Sequence, residues 1–179
     1  MIKEGLIHIS KIDAGKRQLE IAIRLFFSNG DVVAIHTLTA AAYNLMKDLS
    51  KSQGKRVVVK DIMLEKVKPE YKKTVSDKIN EAENFFKHAD NDPTKLLEFN
   101  PVTTEFLLWD ACVTYRTLTS EEIPLTFLFI IWFYTKNTDL LGDNQVKQIV
   151  TNLLSQLSLD YNNRSQFLEL LPEISRMNF

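Results

Sequence analysis

The sequence predicts an all-α fold: a single domain formed as a bundle of six or seven helices around a central apolar helix at about 120–138. Three observations predict it. Between Ile123 and Tyr134 only Pro124 and Thr126 interrupt a run of large apolar side chains, with no charge from Ile123 to Thr135. A helix apolar on every face must be buried on every face. This run of about 12 residues is shorter than the roughly 18–20 that span a bilayer and longer than the usual strand of roughly 4–8. Second, apolar residues elsewhere recur at spacings of three and four, the period of a helix packed on one side. Third, Gly, Asn, Asp and Pro stand where such segments end, as helix stops and caps.

The first helix should start near Ser10 and stop at Asn29-Gly30. Its apolar set is Ile12, Leu19, Ala22, Ile23 and Phe26, and its charged set, Asp13, Arg17, Glu20 and Arg24, forms an i,i+3/i+4 ladder on a solvated face. Asp31 caps a second helix running to about Ser50, so the two should fold back as an antiparallel hairpin. The main stripe of the second helix is Ile35, Leu38, Ala42, Leu45, Met46 and Leu49. Its opposite face is half-apolar: Val33, His36, Ala40 and Tyr43 share a narrow arc that Lys47 closes. Either a second layer of helices or a partner must cover that arc.

A polar loop, Lys51 to Lys60, follows. Its Val57-Val58-Val59 favours an extended segment, and Asp61 to Lys66 suggests a helical turn. The third long helix begins at Pro69 or Glu70 and runs to about Asp90, with Val75, Ile79, Ala82 and Phe86 as its core face. Leu96, Leu97 and Phe99 should anchor the loop that leads to Pro101. Thr103 or Thr104 caps the fourth helix, to about Leu118, with Glu105 in its first turn. This helix is apolar on most sides, and only Asp110, Thr114 and Thr117 make a narrow polar stripe. The central helix opens either with a Thr119/Glu122 capping box or at Pro124. Beyond Gly142, an amphipathic helix at about Asp143–Leu157 and a short one at Ser165–Leu171, ended by Pro172, complete the chain.

Composition narrows the function. With 22 basic against 23 acidic residues there is no excess of positive charge to neutralise phosphates, so nucleic acid is not the expected partner. The region 47–78 is locally basic and is the only support for a nucleic-acid-linked regulator. Cys112, the single cysteine, should be a buried inert thiol. The N-terminus carries no signal-peptide pattern, which points to the cytoplasm, with no membrane partner.

Chemical constellations are scarce. Asp77, Glu81, Asn84 and His88 share one stripe of the third helix and offer carboxylate and imidazole ligands. That stripe lies about 160–180° from the core face by the helical period, so it should be a solvated face, and no metal is expected. There is no nucleophile elbow, phosphate loop, Cys-x-x-Cys or dinucleotide fingerprint, so no catalytic residue and no cofactor is expected. The unusual polar residues are His36 and Asp110, each on an otherwise apolar helix. A buried carboxylate must be paired, with Arg116, Tyr43, His36 or Lys47 in reach.

Lys16-Arg-Gln-Leu-Glu-Ile-Ala, Asn29-Gly-Asp and Thr39-Ala-Ala-Ala-Tyr-Asn-Leu-Met-Lys-Asp-Leu together resemble the opening hairpin of HEPN-type helical bundles, over roughly positions 10 to 50. Nuclease members of that superfamily carry an Arg and a His separated by four to six intervening residues. Here Asn29, Gly30 and Asp31 precede His36, and Glu81, Ala82 and Glu83 precede His88, so the resemblance implies a non-catalytic or antitoxin-like binding bundle. The first expectation is therefore a non-catalytic protein that binds another protein or itself, with His36, Ala40, Tyr43, Lys47, Asp110 and Tyr115 as interface or binding candidates. The rival is a small-molecule binder or enzyme with a pocket near His36, Tyr43, Asp110 and Tyr115.

Overall fold

The structure, a computed structural model, describes residues 5–55, 67–90, 93–141, 148, 151–152 and 159–176. It is all-α. The helices are α1 (Lys11–Phe27), α2 (Val32–Ser52), α3 (Pro69–Lys87), α4 (Val102–Thr119) and α5 (Pro124–Lys136), followed by the short α6 (Ser165–Glu169) and α7 (Leu171–Ile174). No strand occurs among the described residues, and none of the described helices is long and apolar enough to cross a membrane. The Val57–Val59 segment and the Asp61–Lys66 turn lie outside the described residues. Of the expected Asp143–Leu157 helix only Gln148, Thr151 and Asn152 are described, and these are helical.

A reciprocal capping box starts α1: the Ser10 hydroxyl accepts from the Asp13 amide, and the Asp13 carboxylate takes the Ser10 N–H. Ser10 draws the Asp13 carboxyl below its ordinary range. The helix ends at Phe27, two residues before the expected stop, because Asn29 takes the left-handed conformation (φ 54°). Gly30 then donates to the Leu25 carbonyl at 2.7 Å. A Cβ at Gly30 would lie 3.0 Å from that carbonyl, so a side chain there would crowd the tight turn. The resulting hairpin is antiparallel and close, since a Cβ at Gly15 would come within 3.3 Å of the Met46 methyl.

The burial of α2 decides between the two expected covers. Ile35, Ala42 and Met46 of the main stripe are buried and Leu38, Leu45 and Leu49 half-buried, while in the opposite arc Ala40 and Tyr43 are buried and His36 is 3% exposed, with Val33 at 40% on its edge. α4 packs along that side, with α3 against it as well. The second layer of helices, not a partner, covers the arc. A second copy would have to displace α4 to reach Ala40 or Tyr43. The foot of α2 is tied to α4 too, because Lys55 of the basic stretch donates its ammonium to the Leu118 carbonyl at 2.9 Å.

α3 departs furthest from expectation. None of its residues is fully buried; Val75, Ala82 and Phe86 are half-buried and Ile79 is 42% exposed. It ends at Lys87 rather than Asp90. α4 starts at Val102 with Pro101 in the cap position, ahead of the expected Thr103 or Thr104, and the Asn100 side chain accepts from the Val102 amide at 3.0 Å. Within its polar stripe Asp110 and Thr114 are buried and bonded to each other at 3.2 Å, and Thr117 is exposed.

α5 begins at Pro124, not with the Thr119/Glu122 box. Thr119 instead accepts from the Glu121 amide, and Glu122 takes the Thr126 hydroxyl and Arg116. No residue of α5 is exposed. It packs on α1, α4, α6 and α7. Phe129 lies in an aromatic cluster with Phe26 and Trp132, at centroid distances of 5.1 and 5.4 Å. Phe167 of α6 stacks on Phe27 of α1. Pro172 opens α7 rather than ending a helix, since a first-turn proline lacks only an N–H that would go unbonded.

Phe129→Ala should therefore cost about 3–5 kcal/mol, read as the fall in unfolding free energy in urea. Ile21→Ala, on the exposed side of α1, should change it by no more than about 0.5 kcal/mol.

Candidate functional site

The loop from Leu96 to Pro101 crosses between the midpoint of α3 and the first half of α4, and the three enclose a cleft of about 560 Å³. That volume suits a small organic ligand. Ile79 and Ala82 of α3 line one wall, and Leu97 and Phe99 of the loop line the next. Val102, Phe106, Leu107 and Trp109 of α4 supply the third. The polar lining is sparser: Lys78, Glu81, Glu98, Asn100 and Thr103, with His36 and Asp110 deeper in.

Each wall is set by packing. Trp109 stacks on Phe133 of α5 at 5.2 Å, and Phe106 meets the same ring edge-on at 5.1 Å. Phe99 meets Phe86 edge-on at 5.2 Å. The His36 ring is held edge-on to both, at 5.6 Å from Phe86 and 5.3 Å from Phe99. Its Nδ1 shares a hydrogen bond with the Thr104 hydroxyl at 3.0 Å. Asp110 is 5% exposed, with the Thr114 hydroxyl donating to it. The Trp109 indole N–H is shielded from solvent and has no acceptor among the described residues, unlike that of Trp132, which donates to the Tyr161 carbonyl at 2.9 Å.

Of the candidates read from the sequence, His36 and Asp110 come together in this cleft. Ala40, Tyr43, Lys47 and Tyr115 do not line it. Tyr115 points elsewhere: its hydroxyl donates to Glu121, which also accepts from Lys16 at 2.5 Å. Burial, and then the carboxylate beside it, pushes the Tyr115 hydroxyl well up, while Lys16 and Tyr115 hold the Glu121 carboxyl below its ordinary value. The sequence reading missed Phe99, Phe106, Trp109 and Glu98. Their signal was weak, because half-buried aromatics beside a loop read as ordinary anchors.

Glu105, expected only to favour the start of α4, is a buried carboxylate holding two cations: Lys136 of α5 at 2.6 Å and Arg164 at 3.3 Å. Arg164 also lies over the Phe26 ring at 4.0 Å, and burial lowers its guanidinium pKa. The α3 stripe of Asp77, Glu81, Asn84 and His88 lines an open groove, where Asp77 pairs with Lys73 at 2.7 Å and Glu81 with Lys78. Among the described residues no three His, Cys, Asp or Glu are grouped so as to hold a metal. Burial raises the Cys112 thiol well above its usual range, leaving it without thiolate reactivity at neutral pH.

No family model, curated protein or solved structure matches the chain, so its function is read from geometry alone.

Two outcomes follow from the ion pairs. A depressed carboxyl adds stability above its unfolded pKa and loses it as pH falls through the folded one. Glu121→Gln should thus lower Tm near neutrality, with the deficit closing below the ordinary value of 4.5; melting curves across that range check it. Glu105→Gln leaves two cations without their anion. Because both are about 30% exposed and can rehydrate, we expect a loss of about 1–3 kcal/mol, below that of a fully buried pair, in urea unfolding.

Proposed function

We propose that the protein binds a small, largely apolar ligand in the cleft between α3, the Leu96–Pro101 loop and α4. The observation that carries this reading is the cleft itself: about 560 Å³, walled by aliphatic and aromatic side chains, with a few polar groups converging from His36 and Asp110. Ligand sites combine an apolar lining with a small number of fixed polar groups in this way. A buried indole N–H usually has an acceptor, and a ligand seated against Trp109 could bring one. Ile79, Val102 and Phe106 are each partly exposed at the opening, which leaves apolar surface for an occupant to cover. The HEPN-type resemblance of the opening hairpin adds no arginine ahead of His36 and no catalytic group to the cleft.

Phenylbutanol serves as a neutral probe of suitable size. It should raise Tm in a saturable way and change the tryptophan emission through Trp109. Ala82→Trp, which fills the cleft from α3, should fold and lose both responses. The reading fails if the probe leaves the wild-type melt and emission unchanged, or if the filled variant responds as the wild type does.

A further inference from the structure

We propose that the segment preceding α1, Leu6 to Ile9, docks in the cleft of a second copy of the chain, so that two copies exchange these segments. This rests on the reading of the cleft as a binding site and adds an occupant that competes there with the small ligand. The segment and the cleft are uncovered apolar surfaces of opposite shape. Leu6, Ile7 and Ile9 belong to no helix and are 64, 73 and 47% exposed. In an extended course alternate side chains share a side, so Ile7 and Ile9 project together. The cleft encloses about 560 Å³, with Ile79, Val102 and Phe106 of its lining partly open to water. Asn100 and Thr103 on the same lining can meet main-chain groups of an extended occupant, as peptide-binding grooves do.

Reach decides that the cleft belongs to another copy. Lys16, near the start of α1, bonds Glu121, just past the end of α4, at 2.5 Å. The segment therefore leaves the bundle at the end away from the cleft. Phe106, midway along the α4 wall, lies about 20 Å from Thr119 at 1.5 Å per residue, and α1 begins about 8 Å beyond Lys16. From Lys11 a fully extended chain reaches back to Leu6 in at most about 18 Å. The segment falls short of its own cleft. Charge agrees with the pairing. No acidic residue stands between Gly5 and Lys11, and Lys11 is exposed, whereas the exposed Glu98 lines the cleft. Opposite rim charges of this kind favour encounter of the right surfaces. Reciprocal exchange gives each copy one filled cleft and closes a twofold dimer.

The test is light scattering of the full chain over a range of concentrations. The wild type should pass from monomer to dimer as concentration rises. Ile7→Asp, at an exposed position, should keep the dilute wild-type Tm and stay monomeric. Ala82→Trp, which fills the cleft, should also stay monomeric, as should Ile79→Asp at the partly exposed wall. Mixing Ile7→Asp with Ala82→Trp should restore association, through the one intact cleft and the one intact segment. Phenylbutanol at roughly ten times its own Kd should weaken wild-type association by about tenfold or more. A wild type that stays monomeric at high concentration, or a dimer that survives Ile7→Asp or both cleft substitutions, overturns the exchange. The ligand cleft then still stands if phenylbutanol raises Tm in dilute protein. Neither association nor a response to the probe overturns both.

Discussion

The constraint on which the rest depends is that α5 has no side to give to water. Its 13 residues place phenylalanine, tryptophan, leucine or isoleucine around the whole circumference, and each large side chain is worth about 1.5–3 kcal/mol when fully buried. α1, α4 and the two short C-terminal helices each cover part of it. Phe129, Trp132 and Phe133 then form a continuous aromatic cluster with Phe26 and Phe27. The antiparallel α1–α2 hairpin follows from its own turn and from Gly15. It meets α5 through α1 and α4 chiefly through α2.

The polar contacts orient this packing more than they drive it. Glu105 collects Lys136 from the end of α5 and Arg164 from the segment before α6. A buried ion pair roughly breaks even against desolvation, whereas the stacked and edge-on aromatic pairs each add about 0.5–1.5 kcal/mol to what burial already contributes. What Glu105 fixes is register. It joins three segments at one point, one residue from Phe106, which lines the cleft. Arg164 contributes as much by lying on Phe26 as by its charge.

The sequence reveals what is periodic and local. The apolar run of α5, the Ser10 and Asp31 caps, the Gly30 turn and the buried Leu19, Ala22, Ile23 and Phe26 of α1 were all legible, because each follows from neighbours within a turn or two. What periodicity does not say is what covers an apolar face. On α3 the pattern of Val75, Ile79, Ala82 and Phe86 is present, yet it is left half-covered. On α2 the weaker arc of His36, Ala40 and Tyr43 is interior as well as Ile35, Ala42 and Met46 of the main stripe. Asp110 and Thr114 share a stripe because i and i+4 are adjacent on a helix, and that same adjacency lets them bond each other inside. His36 and Asp110 could be singled out as polar residues on apolar helices. Phe99, Glu98 and Phe106 could not, since they join the site only when a loop crosses between two distant helices.

The two walls of the cleft differ in kind, and that difference bears on binding. The α4 wall is rigidly backed, with Trp109 and Phe106 both resting on Phe133, so the helix with the least chemistry of its own shapes the surface with the most. The α3 wall is held at one end through Phe86 against Phe99 and His36, and by Asn44 reaching Glu83 at 2.5 Å. Elsewhere its apolar face lacks the burial that normally stabilises an amphipathic helix. An apolar occupant would supply the missing cover for Ile79 and Ala82 at about 25 cal/mol for each Å² removed from water. Ligand affinity and the local stability of α3 then draw on the same buried surface, and an element with few buried contacts is the one that opens most readily. The incomplete core of α3 is what makes the cleft both accessible and favourable to fill.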